Sequence, residues 1–572
     1  MDIFRSEYPR PQFVRDNWIN LNGKWQFSFD HGNSGEEREM YIPDFPYDEE
    51  IIVPFCPESK LSGIGCKDFM ESVWYRRIIT ITKEHLLGHA ILHFGAVDYR
   101  CVVYINGEKC GEHIGGFSSF SVDITAKVKE GSNILTVHAM DDIRSGDQPC
   151  GKQSRNYYSA WCDYTRVTGI WQTVWLEFVP VTYLKSVRIM TNNADKTVTF
   201  TAFPSGDVKL LSIVTKLFFK GEKVKDQKNE IGWGATSYVI KLDSIELWDV
   251  SQPNLYDITY ELYSGDVLLD TVNSYFGFRS IEIRDQKIYL NGKPVFQRLV
   301  LDQGYYPDGI YTAPSDEALK RDIKISMDLG FNGARLHQKV FEERFLYWAD
   351  QLGYLVWGEY GNWGVNANEV KTLANVLSEW LEVIDRDFNH PSIIGWCPFN
   401  EAYERDVRVI GSVYFATKAA DPTRPVIDVS GYTHYKTDIW DTHDYEQDTK
   451  VYSERYSSFT NDKIYDPHEK VQTYSGQPFF VSEYGGIWWS TGKKEGWGYG
   501  TAPKTEEEFL DRYSGLTTAL LKSSNVCAMC YTQLYDIEQE INGLFTYERE
   551  PKFSQEIYKE IRKINTQKAF FE

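Results

Sequence analysis

The spacing of apolar and polar residues divides the chain into two kinds of pattern. Up to about residue 180, short runs rich in β-branched and aromatic residues predict strands at Val73–Thr82, Cys101–Ile105, Ser132–His138 and Gly169–Leu176. Asn106-Gly107 follows one run directly and predicts a two-residue hairpin turn, because both residues tolerate positive φ. Strands at short intervals without helical periodicity predict a jelly-roll β-sandwich over residues 1–180. Ser186–Met190, Thr197–Thr201, Ser237–Leu242 and Asp257–Leu262 continue the pattern and predict an immunoglobulin-like β-sandwich over 181–277. From 278 to 572 apolar strands alternate with helix-periodic stretches. Strands are expected at 295–300, 331–337, 354–359, 393–401, 425–430, 439–444, 478–483 and 526–533. Helices are expected at Asp316–Leu329, Phe341–Gln351, Val370–Phe388, Val407–Ala420 and Glu506–Leu521. That alternation predicts a (β/α)8 TIM barrel, so the chain as a whole reads as a multidomain protein of two β-sandwiches and a barrel.

Composition narrows the partners. With 61 Lys and Arg against 82 Asp and Glu, the net charge of −21 excludes a phosphate-backbone partner, which needs basic stripes. A 42% hydrophobic and 15% aromatic content is enough to order the chain, and 17 Trp and 38 Tyr suit both β-rich cores and sugar-stacking surfaces. No apolar run approaches a membrane span, so no membrane partner is expected. Met1–Arg10 has no basic segment followed by an apolar one, and the nine scattered cysteines fit a reducing compartment; a cytoplasmic location is therefore expected. Cys527-Ala-Met-Cys530 has no second pair at zinc-finger spacing, so neither metal nor redox use is expected of it. A homo-oligomer is compatible with all of this.

A TIM barrel carries its chemistry at the C-terminal ends of its strands. Several apolar runs here stop on a polar residue at that end: Glu359 after the third, Asn400-Glu401 after the fourth, His443-Asp444 after the sixth and Glu483-Tyr484 after the seventh. A single carboxylate at a strand end is ordinarily solvated or a helix cap; several converging on one mouth suggest a site. Two facing carboxyls can cleave a glycosidic bond, one protonating the leaving oxygen and the other attacking the anomeric carbon. At a separation of about 5 Å the attack forms a covalent glycosyl-enzyme and configuration is retained.

At these residues the chain resembles glycoside hydrolase family 2, which contains β-galactosidases, β-glucuronidases and β-mannosidases. Arg166-Val-Thr-Gly-Ile-Trp171 resembles its sugar-binding-domain signature, Asn389 to Glu401 its acid/base segment, Phe479 to Gly485 its nucleophile strand, and Asn291-Gly-Lys-Pro-Val295 its approach to the barrel. The resemblance implies Glu401 as acid/base, Glu483 as nucleophile and Asn400 on the sugar 2-hydroxyl. It implies that Asp163 reaches from the first domain into the sugar subsite and that Arg335 stands by the nucleophile. No cofactor and no metal are implied, because Gly358-Glu359-Tyr360 lacks the Glu-x-His that binds magnesium in large β-galactosidases.

The departures bear on the sugar. Asp302 either accepts bonds from sugar hydroxyls or caps a turn. His337, Glu359, His443, Tyr484 and Trp488 are further candidates for substrate contact. Glu540-Ile-Asn-Gly-Leu-Phe-Thr546 stands where the glucuronidases have an Asn-x-Lys for the substrate carboxylate, and it has no Lys. A β-galactoside is therefore the expected substrate, hydrolysed from its non-reducing end. A uronide or an arabinopyranoside is the alternative, with Lys339 or Arg335 available to a carboxylate. A more remote alternative is a carbohydrate-binding protein on an inactive barrel. The Gly- and Trp-rich loop 486–500 is expected to wall the aglycone side or to pack over the barrel top.

Overall fold

The computed structural model describes residues 3–572 apart from 207–209, 233, 403–406, 460–463, 469–470 and 491–494; the middle of the loop 486–500 thus lies outside the described residues. Near the N-terminus a six-stranded antiparallel sheet (Glu49–Val53, Gly23–Phe29, Ser72–Ile81, Gly131–Met140, Arg100–Ile105, Glu108–Ile114) faces a four-stranded one (Trp18–Asn20, Val174–Val179, His89–Phe94, Phe120–Asp123). Trp25, Phe27, Tyr75, Leu92, Val137 and Leu176 belong to the core they share. Asn106 and Gly107 form the hairpin with φ of +53° and +84°, which places Ile105 opposite Glu108.

The strand expected at Gly169–Leu176 is two. Gly169–Ile170 pairs with Val97–Asp98, whereas Val174–Val179 joins the four-stranded sheet. Between them Trp171 leaves the sandwich: its indole N–H donates to Gly116 O at 2.8 Å, and its ring lies 5.1 Å from that of Tyr311. It joins the largest buried cluster, which belongs to the barrel, and so ties the sandwich to it.

The second sandwich pairs a three-stranded sheet (Tyr183–Asn192, Thr197–Ser205, Thr236–Lys241) with a four-stranded one (Glu222–Ile231, Leu211–Phe219, Tyr256–Ser264, Val267–Phe276). Glu222–Ile231 gave no apolar signal because it is an edge strand with almost every residue exposed or half-exposed; its charges also guard that edge.

The barrel strands are β1 (Gln297–Asp302), β2 (Gly333–Leu336), β3 (Leu355–Glu359), β4 (Ile393–Cys397), β5 (Val429–Ser430), β6 (Trp440–Asp444), β7 (Phe479–Gly485) and β8 (Val526–Thr532). All but β5 form one parallel sheet in the order β4-β3-β2-β1-β8-β7-β6. β5 pairs with Phe399–Asn400, the continuation of β4, and Asp438 N donates to Val426 O at 2.9 Å on the other side. The strand expected over 425–430 is thus cut to two residues. The Asp428 carboxylate takes the backbone amides of Tyr435 and Lys436 at 2.7 and 2.8 Å, which bends the segment out of the ladder.

Helix α1 (Asp316–Asp328) begins where the Ser315 side chain accepts from Ala318 N and ends before Gly330, whose φ is +85°. Among the described residues six further helices are α2 (Glu343–Leu352), α3 (Leu373–Asp387), α4 (Val407–Ala420), α5 (Thr449–Ser457), α6 (Glu506–Lys522) and α7 (Gln555–Asn565); β5 and β6 are joined without one. Alternate strand residues divide the packing. Leu299, Leu301, Trp357, Ile427 and Phe480 form one buried cluster, and Val300, Ala334 and Val356 pack with residues of the helices in another. Among the described residues no helix is long and apolar enough to cross a membrane.

Candidate active site

The C-terminal ends of the barrel strands assemble one connected network around Arg335, which is 1% exposed. Its Nε donates to Glu359 Oε2 at 2.5 Å, and its Nη1 to Glu483 Oε1 and Ser482 O, each at 3.0 Å. Its Nη2 donates to Asn400 Oδ1. Burial on this scale makes each carboxylate dependent on the guanidinium. Glu359 also lies 2.9 Å from His337 Nδ1, and Arg335 and His337 hold its pKa at about 2 against the opposing effect of burial.

Glu483 owes its inward direction to a local irregularity. The register of β7 shifts between Val481 and Tyr484 against β8, and between Thr442 and His443 against β6, which sets Glu483 opposite His443. Burial alone would raise the Glu483 carboxyl. His443, Arg335 and His337 around it, with a hydrogen bond from the Tyr445 hydroxyl, hold it well below the usual carboxylate range.

Glu401 follows Asn400 with φ +47°, a left-handed conformation unusual outside glycine, and its amide donates to Ser430 O at 2.9 Å. Its Oε1 meets His443 Nδ1 at 2.7 Å, while His443 Nε2 lies 3.4 Å from Glu483 Oε1. Burial works against a charge on His443, but Glu483 and Glu401 raise its pKa above the ordinary histidine value. One atom from each of Glu401, His443 and Glu483 lies within 4.8 Å of the others. Among the described residues this trio alone approaches a metal-binding arrangement. Asn400 takes Asn362 Oδ1 on its backbone amide at 2.8 Å, and its own side-chain NH2 is buried without a partner among the described residues.

A cavity of about 300 Å³ opens beside Glu401, lined from the barrel by Asn362 and Trp363 and from the first sandwich by Gly151, Gln153, Arg155 and Asp163. Burial raises the pKa of the Asp163 carboxyl. Tyr499 brings the loop 486–500 to the site: its ring stacks on Tyr445 with centroids 3.5 Å apart. Trp497 of the same loop donates through its indole N–H to Trp161 O at 2.7 Å.

Four residues expected to touch substrate are engaged elsewhere. Lys339 Nζ donates to Gly304 O at 2.6 Å and Tyr311 O at 2.8 Å under the Tyr311 and Phe341 rings, and burial lowers its pKa to about 7. Asp302 accepts from Gly304 N at 3.0 Å and from the Tyr535 hydroxyl, so it caps the turn after β1. Tyr484 points away from Glu483, as strand alternation requires, and its hydroxyl meets Thr517 Oγ1 on α6 at 2.9 Å. Trp488 is half-buried and packs on Gly498, where a Cβ would lie 2.6 Å from it. Arg335 and Glu359 sit within the network, turned toward its protein partners. Lys152, Tyr445, Asn362 and Trp363 were missed by sequence reasoning. Tyr445 directly follows His443-Asp444 and was within reach of the strand-end argument; the others carry no local signal.

Beneath the site His434 is held between Asp428 Oδ1 at 2.7 Å and Asp441 Oδ1 at 3.3 Å. Asp441 Oδ2 in turn accepts from Ser430 Oγ at 2.8 Å and from Ser482 Oγ. Burial opposes a charge on His434, but the two aspartates raise its pKa to about 10. A folded pKa above the unfolded value of about 6.5 stabilises fully below that pH and is lost as pH rises through the folded value. The thermal midpoint is therefore expected to fall between about pH 6.5 and 10. His434→Gln should flatten that fall, and an identical pH dependence in both proteins would remove His434 as its source.

The description "Glycosyl hydrolases family 2, TIM barrel domain" matches residues 281–566, "Glycosyl hydrolases family 2" matches 182–279, and the family's sugar-binding domain matches 19–180. The chain belongs to glycosyl hydrolase family 2. It is 26% identical to a β-galactosidase of Thermoanaerobacter pseudethanolicus over 82% of this chain and 60% of that one. It is 24% identical to a β-glucuronidase of Streptococcus agalactiae over 67% of this chain and 66% of that one. It thus spans less than two thirds of the length of either relative. A β-glucuronidase structure from an uncultured Clostridium superimposes with a TM-score of 0.80 at 22% identity, covering 98% of this chain and all of the other, which establishes a shared fold.

Proposed function

We propose that the protein is a retaining exo-β-glycosidase that releases a terminal β-linked hexopyranose. The observation that carries this reading is the pair Glu401 and Glu483, with carboxylate oxygens within 4.8 Å across one mouth, close to the separation of about 5 Å that suits a covalent intermediate. Glu483, held ionised by Arg335, His443 and Tyr445, attacks the anomeric carbon while Glu401 gives its proton to the leaving oxygen. Glu401 then takes a proton from water, which releases the sugar with its configuration retained. The unpartnered NH2 of Asn400 is placed to hold the 2-hydroxyl, and Asp163 to accept from hydroxyls farther round the ring. Trp497, Tyr499 and Trp161 wall the aglycone side.

The relatives include both β-galactosidases and β-glucuronidases. The missing Asn-x-Lys favours a β-galactoside only if no other cation reaches the sugar. A panel of 4-nitrophenyl β-glycosides differing at C4 and C6, with the first-formed anomer followed by NMR, tests the reading. Turnover with the β-anomer released first is expected; an α-anomer would overturn the two-step mechanism, and no turnover of any substrate would leave a binding protein.

A further inference from the structure

Lys152 stands in the first sandwich between Gly151 and Gln153, both of which line the cavity beside Glu401. The residue is 7% exposed. Its Nζ lies 4.4 Å above the ring of Trp363, whose indole N–H donates to Asn400 O at 3.1 Å. Among the described residues the ammonium has no hydrogen-bond or ion-pair partner, whereas Lys339 donates to two carbonyls and Arg335 pairs with two carboxylates. Burial works against its charge, but Cys162, Glu540, Glu483 and Glu401 surround it at longer range and raise its pKa well above the ordinary lysine value. The surrounding carboxylates thus favour the charged ammonium, whose N–H donors no described residue takes up. A neutral sugar brings only hydroxyls, whereas a uronic acid brings a carboxylate.

We infer that Lys152, supplied by the first sandwich rather than by the barrel, reads the C6 carboxylate of a terminal β-uronide. The inference rests on the retaining-glycosidase reading and names its substrate class. It supplies a chain that lacks the expected Lys after Glu540 with another cation for a uronide, from the first sandwich.

The test compares the wild-type protein with Lys152→Met and Lys152→Arg on 4-nitrophenyl β-glucuronide, β-galacturonide, β-glucoside and β-galactoside. Wild type is expected to prefer at least one uronide by about 100-fold in kcat/KM, the scale of a buried charge-assisted contact. Lys152→Met should lose about 30-fold more on that uronide than on the neutral glycosides, chiefly in KM. Lys152→Arg should keep part of the preference. Thermal midpoints report whether the Met variant is folded. If it fails to fold, the Arg variant and inhibition of wild type by free D-glucuronate or D-galacturonate against D-glucose and D-galactose decide the matter. A wild type that prefers neutral glycosides, an equal loss on all four substrates, or equal inhibition by acid and neutral sugars would overturn the assignment while leaving the glycosidase reading intact. Absence of any turnover would overturn both.

Discussion

Replacing Glu483 with alanine should lower kcat by about 10⁴-fold or more, because no other described group offers an ionised oxygen at that point of the mouth. The loss is chemical rather than structural. The variant removes one of the two carboxylates on Arg335 and leaves Glu359 in place, so the guanidinium keeps a charged partner at 2.5 Å. The space vacated by the carboxylate admits a small anion. Azide should therefore restore part of the turnover of an activated aryl glycoside and give the glycosyl azide of inverted anomeric configuration, since only one displacement then occurs. Product identity by NMR is the decisive measurement. Near-normal hydrolysis by the variant, or rescue with retained configuration, would remove Glu483 as the nucleophile.

Arg335→Met should be the most damaging single change to stability and activity together. Arg335 binds Glu359, Glu483, the Ser482 carbonyl and Asn400 from a position 1% exposed. Removing it strands two buried carboxylates, and breaking a buried pair of this kind costs about 3–5 kcal/mol. The unfolding midpoint in denaturant should fall accordingly. The folded fraction should still lose about 10³-fold in kcat/KM, because Glu483 and the side chain of Asn400 lose their common support. The pH profile separates charge from packing. Arg335 is one of the groups that depress the Glu483 carboxyl, so its removal raises that pKa and moves the acid limb of kcat/KM to higher pH. Arg335→Lys keeps a charge without the forked geometry and should fall between the two. An unshifted acid limb in Arg335→Met would show that the guanidinium acts through packing alone.

Glu401, Glu483, Asn400, Glu359 and His443 were visible as polar residues at the ends of apolar runs and Arg335 through the family resemblance, and the structure gathers them with His337 into one network. These side chains meet because a barrel brings every strand's C-terminal end to the same mouth. Asp302 and Lys339 also lie at or just beyond strand ends. Their partners, the Tyr535 hydroxyl and the carbonyls of Gly304 and Tyr311, occupy their polar groups before any sugar reaches them. Polarity at a strand end marks a position at the mouth; whether its donors remain available is decided by packing.

What the amino-acid order determined by itself is local. Alternation gave the sandwich strands, Asn106-Gly107 gave its hairpin, and periodicity with Gly330 bounded α1 within a residue. Tertiary structure alone decided what depends on pairing distant segments. The shortening of β5 follows from Asp428 meeting the amides of Tyr435 and Lys436, and Trp171 leaves its strand because Gly116 and Tyr311 await it. The proposal for a substrate carboxylate moved in the same way from Lys339 and Arg335 to Lys152. A lysine's chemistry is the same wherever it stands in the sequence. Only the folded neighbourhood determines whether its ammonium is spent on the protein or left without a partner beside the cavity.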